Sequence, residues 1–173
     1  GCDMYVLPLA VTVGDNLKVL NLASTDFRVM PGYGEYMYVG YDDPTAFQSA
    51  LDKYFAATSL EELYLDWCVF DNLSGLGHLS NLKVLSLNYC DLTQLPGEAL
   101  NGCESLRELY LRGNQISDIS FVENLPALEY INLWDCYVTD ISPLRKCKNL
   151  QCVNVKNNPI SSNPLLGVEV ISD

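Results

Sequence analysis

Residues 106–116 read LRELYLRGNQI, and residues 128–138 read LEYINLWDCYV. Laid over one another, they share apolar residues at the first, fourth, sixth and eleventh positions. Both carry a small residue, Asn114 or Cys136, at the ninth. The pattern returns in LKVLNLASTDF (17–27), LEELYLDWCVF (60–70), LKVLSLNYCDL (82–92) and LQCVNVKNNPI (150–160). The leading residues Leu17, Leu60, Leu82, Leu106, Leu128 and Leu150 are separated by 43, 22, 24, 22 and 22 residues. A steady period of this length marks a solenoid, in which each repeat is one turn of a coil.

Within each turn the fourth and sixth positions are apolar and most of their neighbours are polar or aromatic. That is the period of a short strand with one buried face. Strands one turn apart run in the same direction, so they pair as a parallel sheet. The ninth position, Thr25, Cys68, Cys90, Asn114, Cys136 and Asn158, points inward where the chain leaves the strand. Backbone groups lose their ladder partners there, and a small hydrogen-bonding side chain can satisfy them. Asn supplies donors and an acceptor, whereas Cys supplies a weak S–H donor.

These segments resemble the leucine-rich repeat family, from about Leu17 to Ile160. The 22-residue turns through Asn114–Ile119 and Tyr137–Leu144 are similar to those of internalins, a type of bacterial surface protein. The 24-residue turn through Leu95–Leu100 is similar to the longer repeats of extracellular animal and bacterial proteins. Cys at three places in the Asn column is a departure that the family tolerates. The resemblance implies a right-handed α/β superhelix, with parallel strands on the concave face and short helices and loops on the convex one. It also implies a module that binds other proteins.

The chain has 173 residues, enough for one domain, and 49% of them are apolar, which excludes wholesale disorder. No apolar run approaches the ~20 residues a membrane-spanning helix needs. A net charge of −12 repels phosphate backbones and anionic lipid surfaces, so no nucleic-acid partner is expected. Of seven cysteines, Cys68, Cys90 and Cys136 fall in the ninth column. Cys103 and Cys147 hold the register that Leu79 and Leu125 hold in other turns, a buried place on the back of the coil. These five read as small core residues and free thiols rather than disulfide partners. Thiols suit a cytosol or an anaerobic exterior.

The whole chain reads as one repeat domain, 1–173. Residues 1–16 form an N-terminal cap over the exposed end of the core. Gly1–Cys2 fits either a lipid anchor at Cys2 or an ordinary cysteine after a tag. Residues 28–58 are an insertion. Its first part, Pro31–Tyr41, has four Tyr and three Gly; its second part, about 44–57, suits a convex helix capped by Asp43 with Pro44 in the first turn. Residues 161–173 make a short terminal turn, because Leu165, Val168 and Val170 repeat the strand spacing.

Alternation places the third, fifth, seventh and eighth residues of each turn on the hollow face. Expected partner-binding residues are Glu62, Tyr64, Asp66, Trp67, Asn88, Tyr89, Glu108, Tyr110, Arg112, Tyr130, Trp134 and Lys156. Both tryptophans of the chain are among them. Rigid aromatic side chains contribute large contact area and are enriched in binding hot spots. Tyr64 and Tyr110 should flank small Ser86, leaving a slot about 10 Å wide, and Arg112 should lie on Trp134. A competing reading is that these aromatics only stack on one another and protect the sheet.

No catalytic constellation is present. His78 is the only histidine and falls on the back of the coil, no zinc-ligand spacing or phosphate loop occurs, and Glu61–Glu62 and Asp42–Asp43 read as solvated pairs. No cofactor or metal is expected. The resemblance to internalins implies a non-enzymatic module, bacterial and secreted or on the cell surface, that captures a protein or, less readily, a glycan. The alternatives are a cytoplasmic scaffold or regulatory subunit and a structural spacer within a larger surface protein.

Overall fold

The computed structural model describes residues 18–21, 59–67, 73–95 and 98–172. Among these residues, seven three-residue strands form one parallel sheet in sequence order: β1 Val19–Asn21, β2 Glu62–Tyr64, β3 Val84–Ser86, β4 Glu108–Tyr110, β5 Tyr130–Asn132, β6 Cys152–Asn154 and β7 Glu169–Ile171. The register puts like positions of successive turns side by side. Leu20, Leu63, Leu85, Leu109, Ile131, Val153 and Val170 form one continuous row.

That row and two others build the core. Leu63, Leu85, Leu109, Ile131 and Val153 of the fourth column are fully buried, as are Leu60, Leu82, Leu106 and Leu128 of the first. The sixth column, Leu65, Leu87, Leu111, Leu133 and Val155, closes the inner side just past the strands. Each such side chain contributes about 1.5–3 kcal/mol on burial, and each row is continuous from turn to turn, so the coil has one core rather than one per repeat.

The chain returns along the back through 3₁₀ helices at Ser74–His78, Ser120–Asn124 and Ser142–Lys146. A repeat of this length leaves too few residues for a full α-helix on each return, and a 3₁₀ turn advances farther per residue. Asp118 and Asp140 start two of these returns by accepting the Ser120 and Ser142 backbone N–H, each at 2.8 Å. Cys103 and Cys147 are buried on this side, where their thiols donate to Leu76 O at 3.1 Å and Val122 O at 3.3 Å. Burial pushes the Cys103 thiol up to about 12 and the Cys147 thiol up to about 11. Cys90, Cys103, Cys136, Cys147 and Cys152 are free thiols.

The ninth column does what its chemistry allows. Asn114 Oδ1 accepts the N–H groups of Cys90 and Leu92 at 3.1 and 3.0 Å, and its Nδ2 donates to Leu87 O and Leu111 O at 2.9 and 2.7 Å. Asn158 repeats this, accepting from Val138 N–H at 2.9 Å and donating to Leu133 O at 2.6 Å. Cys90 and Cys136 each offer one weak S–H, donated to Leu65 O at 3.1 Å and Leu111 O at 3.3 Å. Each Asn thus ties two adjacent turns in both directions with amide hydrogen bonds, whereas each Cys reaches the preceding turn with a weak S–H bond.

The expected cap 1–16, the insertion 28–58 with its helix, Thr25, Cys68 and the lipid-anchor reading of Cys2 lie outside the described residues.

Candidate functional site

The hollow face carries two groups of side chains, one on the strands and one just beyond their C-terminal ends. On the strands, the Tyr64 hydroxyl donates to Glu62 at 2.9 Å and the Tyr110 hydroxyl to Glu108 at 2.7 Å. Tyr110 and Tyr130 lie with ring centroids 5.3 Å apart, tilted by 49°. Burial first, and then the hydrogen bonds and negative charges of Glu62 and Glu108, push the Tyr64 and Tyr110 phenols above their ordinary value. The phenol protons are thus held by neighbouring carboxylates.

Ser86 departs from expectation. It is 3% exposed, so it does not line an open slot between Tyr64 and Tyr110. Its hydroxyl donates to Asp66 at 2.5 Å and accepts from Asn88 Nδ2 at 2.9 Å. Asp66 reaches it from the preceding turn and Asn88 from its own, and a contact from another turn is one that alternation along a single strand cannot reveal.

Beyond the strands lies a stacked strip. Trp67 and Tyr89 are parallel, with centroids 4.2 Å apart and planes 12° apart. The Arg112 guanidinium follows, 5.4 Å from the Tyr89 centroid and 3.7 Å above the Trp134 ring. The strip therefore runs from Trp67 through Tyr89 and Arg112 to Trp134 across four turns. Lys156 occupies the next turn in the same column as Arg112 and Trp134.

Two backbone devices hold the strip. The first fixes the seventh position of each turn. Asp66 accepts Asn88 N–H at 2.8 Å, Asn88 accepts Arg112 N–H at 2.8 Å, Asn132 accepts Trp134 N–H at 3.0 Å and Asn154 accepts Lys156 N–H at 3.2 Å. The second is at the eighth position, where Trp67, Tyr89, Gly113, Asp135 and Asn157 all adopt left-handed backbone, with φ of 65, 56, 69, 60 and 54°. Gly, Asp and Asn accept that conformation readily; a bulky aromatic pays roughly 1–2 kcal/mol. Gly113 has a second duty. A Cβ there would run into the Tyr89 ring, which lies across it.

All twelve expected site residues fall within these turns, and the Arg112–Trp134 stack is present. Two features were missed. One is Asn132, which positions Trp134. The other is the left-handed eighth column, whose signal was its content of Gly113, Asp135 and Asn157. Glu61 is structural: it bridges Lys18 at 2.8 Å and Lys83 at 2.5 Å, and those ammonium groups hold its carboxyl at about 2, well below 4.5. Among the described residues no group of His, Cys, Asp and Glu is arranged to hold a metal ion, and no helix is long and apolar enough to cross a membrane.

Residues 80–127, 104–146 and 126–167 match the family model "Leucine Rich repeats (2 copies)", and residues 59–77 match "Leucine Rich Repeat". The chain belongs to the leucine-rich repeat family. It is similar in structure to internalin C2 of Listeria monocytogenes, with a TM-score of 0.64 and 29% identity over 71% of this chain and 56% of that one. An internalin F structure from the same organism superimposes with a TM-score of 0.58 at 22% identity over 70% of this chain and 43% of that one, a likeness of fold. Among curated sequences, receptor-like protein 7 of Arabidopsis thaliana is 30% identical over 59% of this chain and 11% of its own length. Human leucine-rich repeat-containing protein 56 is 33% identical over 63% of this chain and 20% of its own length. The chain thus spans a fifth or less of these two curated relatives. Leucine-rich repeat domains are non-enzymatic, protein-binding scaffolds, and this chain is an internalin-like repeat module of that build.

Proposed function

We propose that the chain is the capture module of a bacterial secreted or cell-surface protein, and that it holds a protein partner on the strip from Trp67 to Trp134. The observation that carries this reading is the left-handed backbone at Trp67 and Tyr89. Backbone strain at bulky residues persists where it serves a purpose, and here it presents two aromatic rings at the mouth of the hollow. Trp67 remains 58% exposed despite its stack on Tyr89, so mutual packing does not use up its surface. Successive strands about 4.8 Å apart give the face a width of roughly 24 Å over six turns, enough for the ~800 Å² per partner of a standard interface. The likeness to internalins supports the bacterial surface setting. Free buried thiols favour a second reading, a cytoplasmic scaffold. A secretion signal encoded upstream in the gene would decide against that alternative.

The test is affinity selection of a displayed random-peptide library on the immobilised protein. Selected peptides should bind wild type and lose at least tenfold in affinity when Trp67→Ala and Trp134→Ala are combined. The convex-face control Arg145→Ala should bind as wild type does. Equal binding by the double variant would refute the assignment of the strip as the capture surface.

A further inference from the structure

The partner's chemistry can be read from what the hollow leaves unused. Three of its carboxylates are engaged: Glu62 accepts from Tyr64, Glu108 from Tyr110, and Asp66 from Ser86 and the Asn88 backbone, while Asp135 is exposed beside Trp134. Its cations are not. The ion pairs among the described residues join Lys18 and Lys83 to Glu61, and Arg107 to Glu129, all in the second column of the repeat. Arg112 makes no ion pair, and no side-chain hydrogen bond engages its guanidinium among the described residues, although the chain has 22 acidic residues against 10 Lys and Arg. Its Nε is buried without a hydrogen-bond partner. The guanidinium thus sits over the Trp134 ring at stacking distance, and its terminal fork is left to meet a ligand. Lys156, two turns' spacing away in the same column and roughly 10 Å off by strand geometry, also makes no ion pair among the described residues.

Building on the capture surface assigned above, we propose that the strip receives an acidic protein segment. A carboxylate of that segment docks bidentately on the Arg112 fork beside Trp134, and a neighbouring apolar or aromatic side chain rests on Trp67. A planar guanidinium matches a carboxylate with two parallel N–H···O bonds, which an ammonium cannot do. Stacking on Trp134 fixes the plane before binding, so little side-chain freedom is lost on docking. The net charge of −12 does not forbid this. Charges more than about 8 Å away are largely screened at physiological salt, so a repulsive overall field slows encounter more than it weakens the contact.

The test extends the peptide selection. Enriched peptides should share an Asp or Glu at a fixed distance from an aromatic or apolar residue. A double-mutant cycle then pairs Arg112→Gln with Asp→Asn or Glu→Gln in the peptide. The expected outcome is at least a tenfold loss for either change alone and little further loss for both together. Arg112→Lys, which keeps the charge and discards the fork, should lose at least threefold and supplies the same cycle if Arg112→Gln does not fold. Peptides that need Trp67 and Trp134 but show no acidic position, or a coupling below twofold, would overturn the carboxylate inference while leaving the capture surface standing. Peptides indifferent to both tryptophans would overturn the surface itself. Tighter binding of polygalacturonate than of any selected peptide would overturn the assignment to a protein segment.

Discussion

Asn114 and Arg112 stand two residues apart on one turn and meet opposite surroundings. Asn114 points inward, and its amide is fully used, accepting from two backbone N–H groups and donating to two carbonyls on adjacent turns. Arg112 points into the hollow, rests on Trp134, and leaves its fork unengaged among the described residues. Their contrast divides the molecule: columns one, four, six and nine hold the coil together, and columns seven and eight, although Asp66 and Asn88 also tie neighbouring turns, hold capacity for something else. Stability and binding should therefore respond to different substitutions.

The largest effect should come from the interior. Leu109→Ala, in a fully buried row between Leu85 and Ile131, should cost about 2–5 kcal/mol by chemical denaturation. Next is Asn114→Ala, which strands buried backbone groups of two turns and should cost about 1–3 kcal/mol. Cys90→Ala, which removes a single weak S–H donor, should cost less than Asn114→Ala. Equal costs would mean that the two kinds of ninth residue are equivalent after all.

Alkaline pH sharpens the same contrast. Burial raises the Cys103, Cys136 and Cys147 thiols from 9 to about 12, 11 and 11. The unfolded chain then releases these protons at lower pH than the folded one. The stability they contribute is whole below pH 9 and is lost as pH rises toward 11–12, with about 1 kcal/mol per thiol gone near pH 10. Thermal melts across that window should fall steeply, and thiolate absorbance should rise with unfolding rather than before it.

At the border between the two regions, Gly113→Ala places a methyl into the Tyr89 ring at a φ of 69°. It should cost about 1–2 kcal/mol and also disturb binding, because it moves a member of the strip. The smallest effect belongs to Trp67→Asn. Loss of the stack on Tyr89 is offset by relief of left-handed strain, so stability should change by about 0.5 kcal/mol or less while peptide capture weakens.

The unequal legibility of these regions in the sequence has a physical cause. Periodicity reports which way side chains point, so the rows of Leu63, Leu85 and Leu109 and the inward ninth column were readable, as was the meeting of Arg112 with Trp134. Periodicity says nothing of backbone handedness. The left-handed eighth column was masked by Trp67 and Tyr89, the residue types least suited to it, although Gly113, Asp135 and Asn157 beside them are the types that accept it. Ser86 is hidden for another reason: besides Asn88 of its own turn, it meets Asp66 of the preceding one, and a contact between turns is invisible along one strand.

The division between holding and binding is tested most directly by measuring, side by side, the melting temperature and the selected-peptide affinity of two variants. Asn114→Ala should melt several degrees lower and still bind as wild type does at low temperature. The combined Trp67→Ala and Trp134→Ala variant should melt within a few degrees of wild type and lose at least tenfold in affinity. If each variant changed both properties in proportion, the hollow would be part of the scaffold rather than a surface held ready by it.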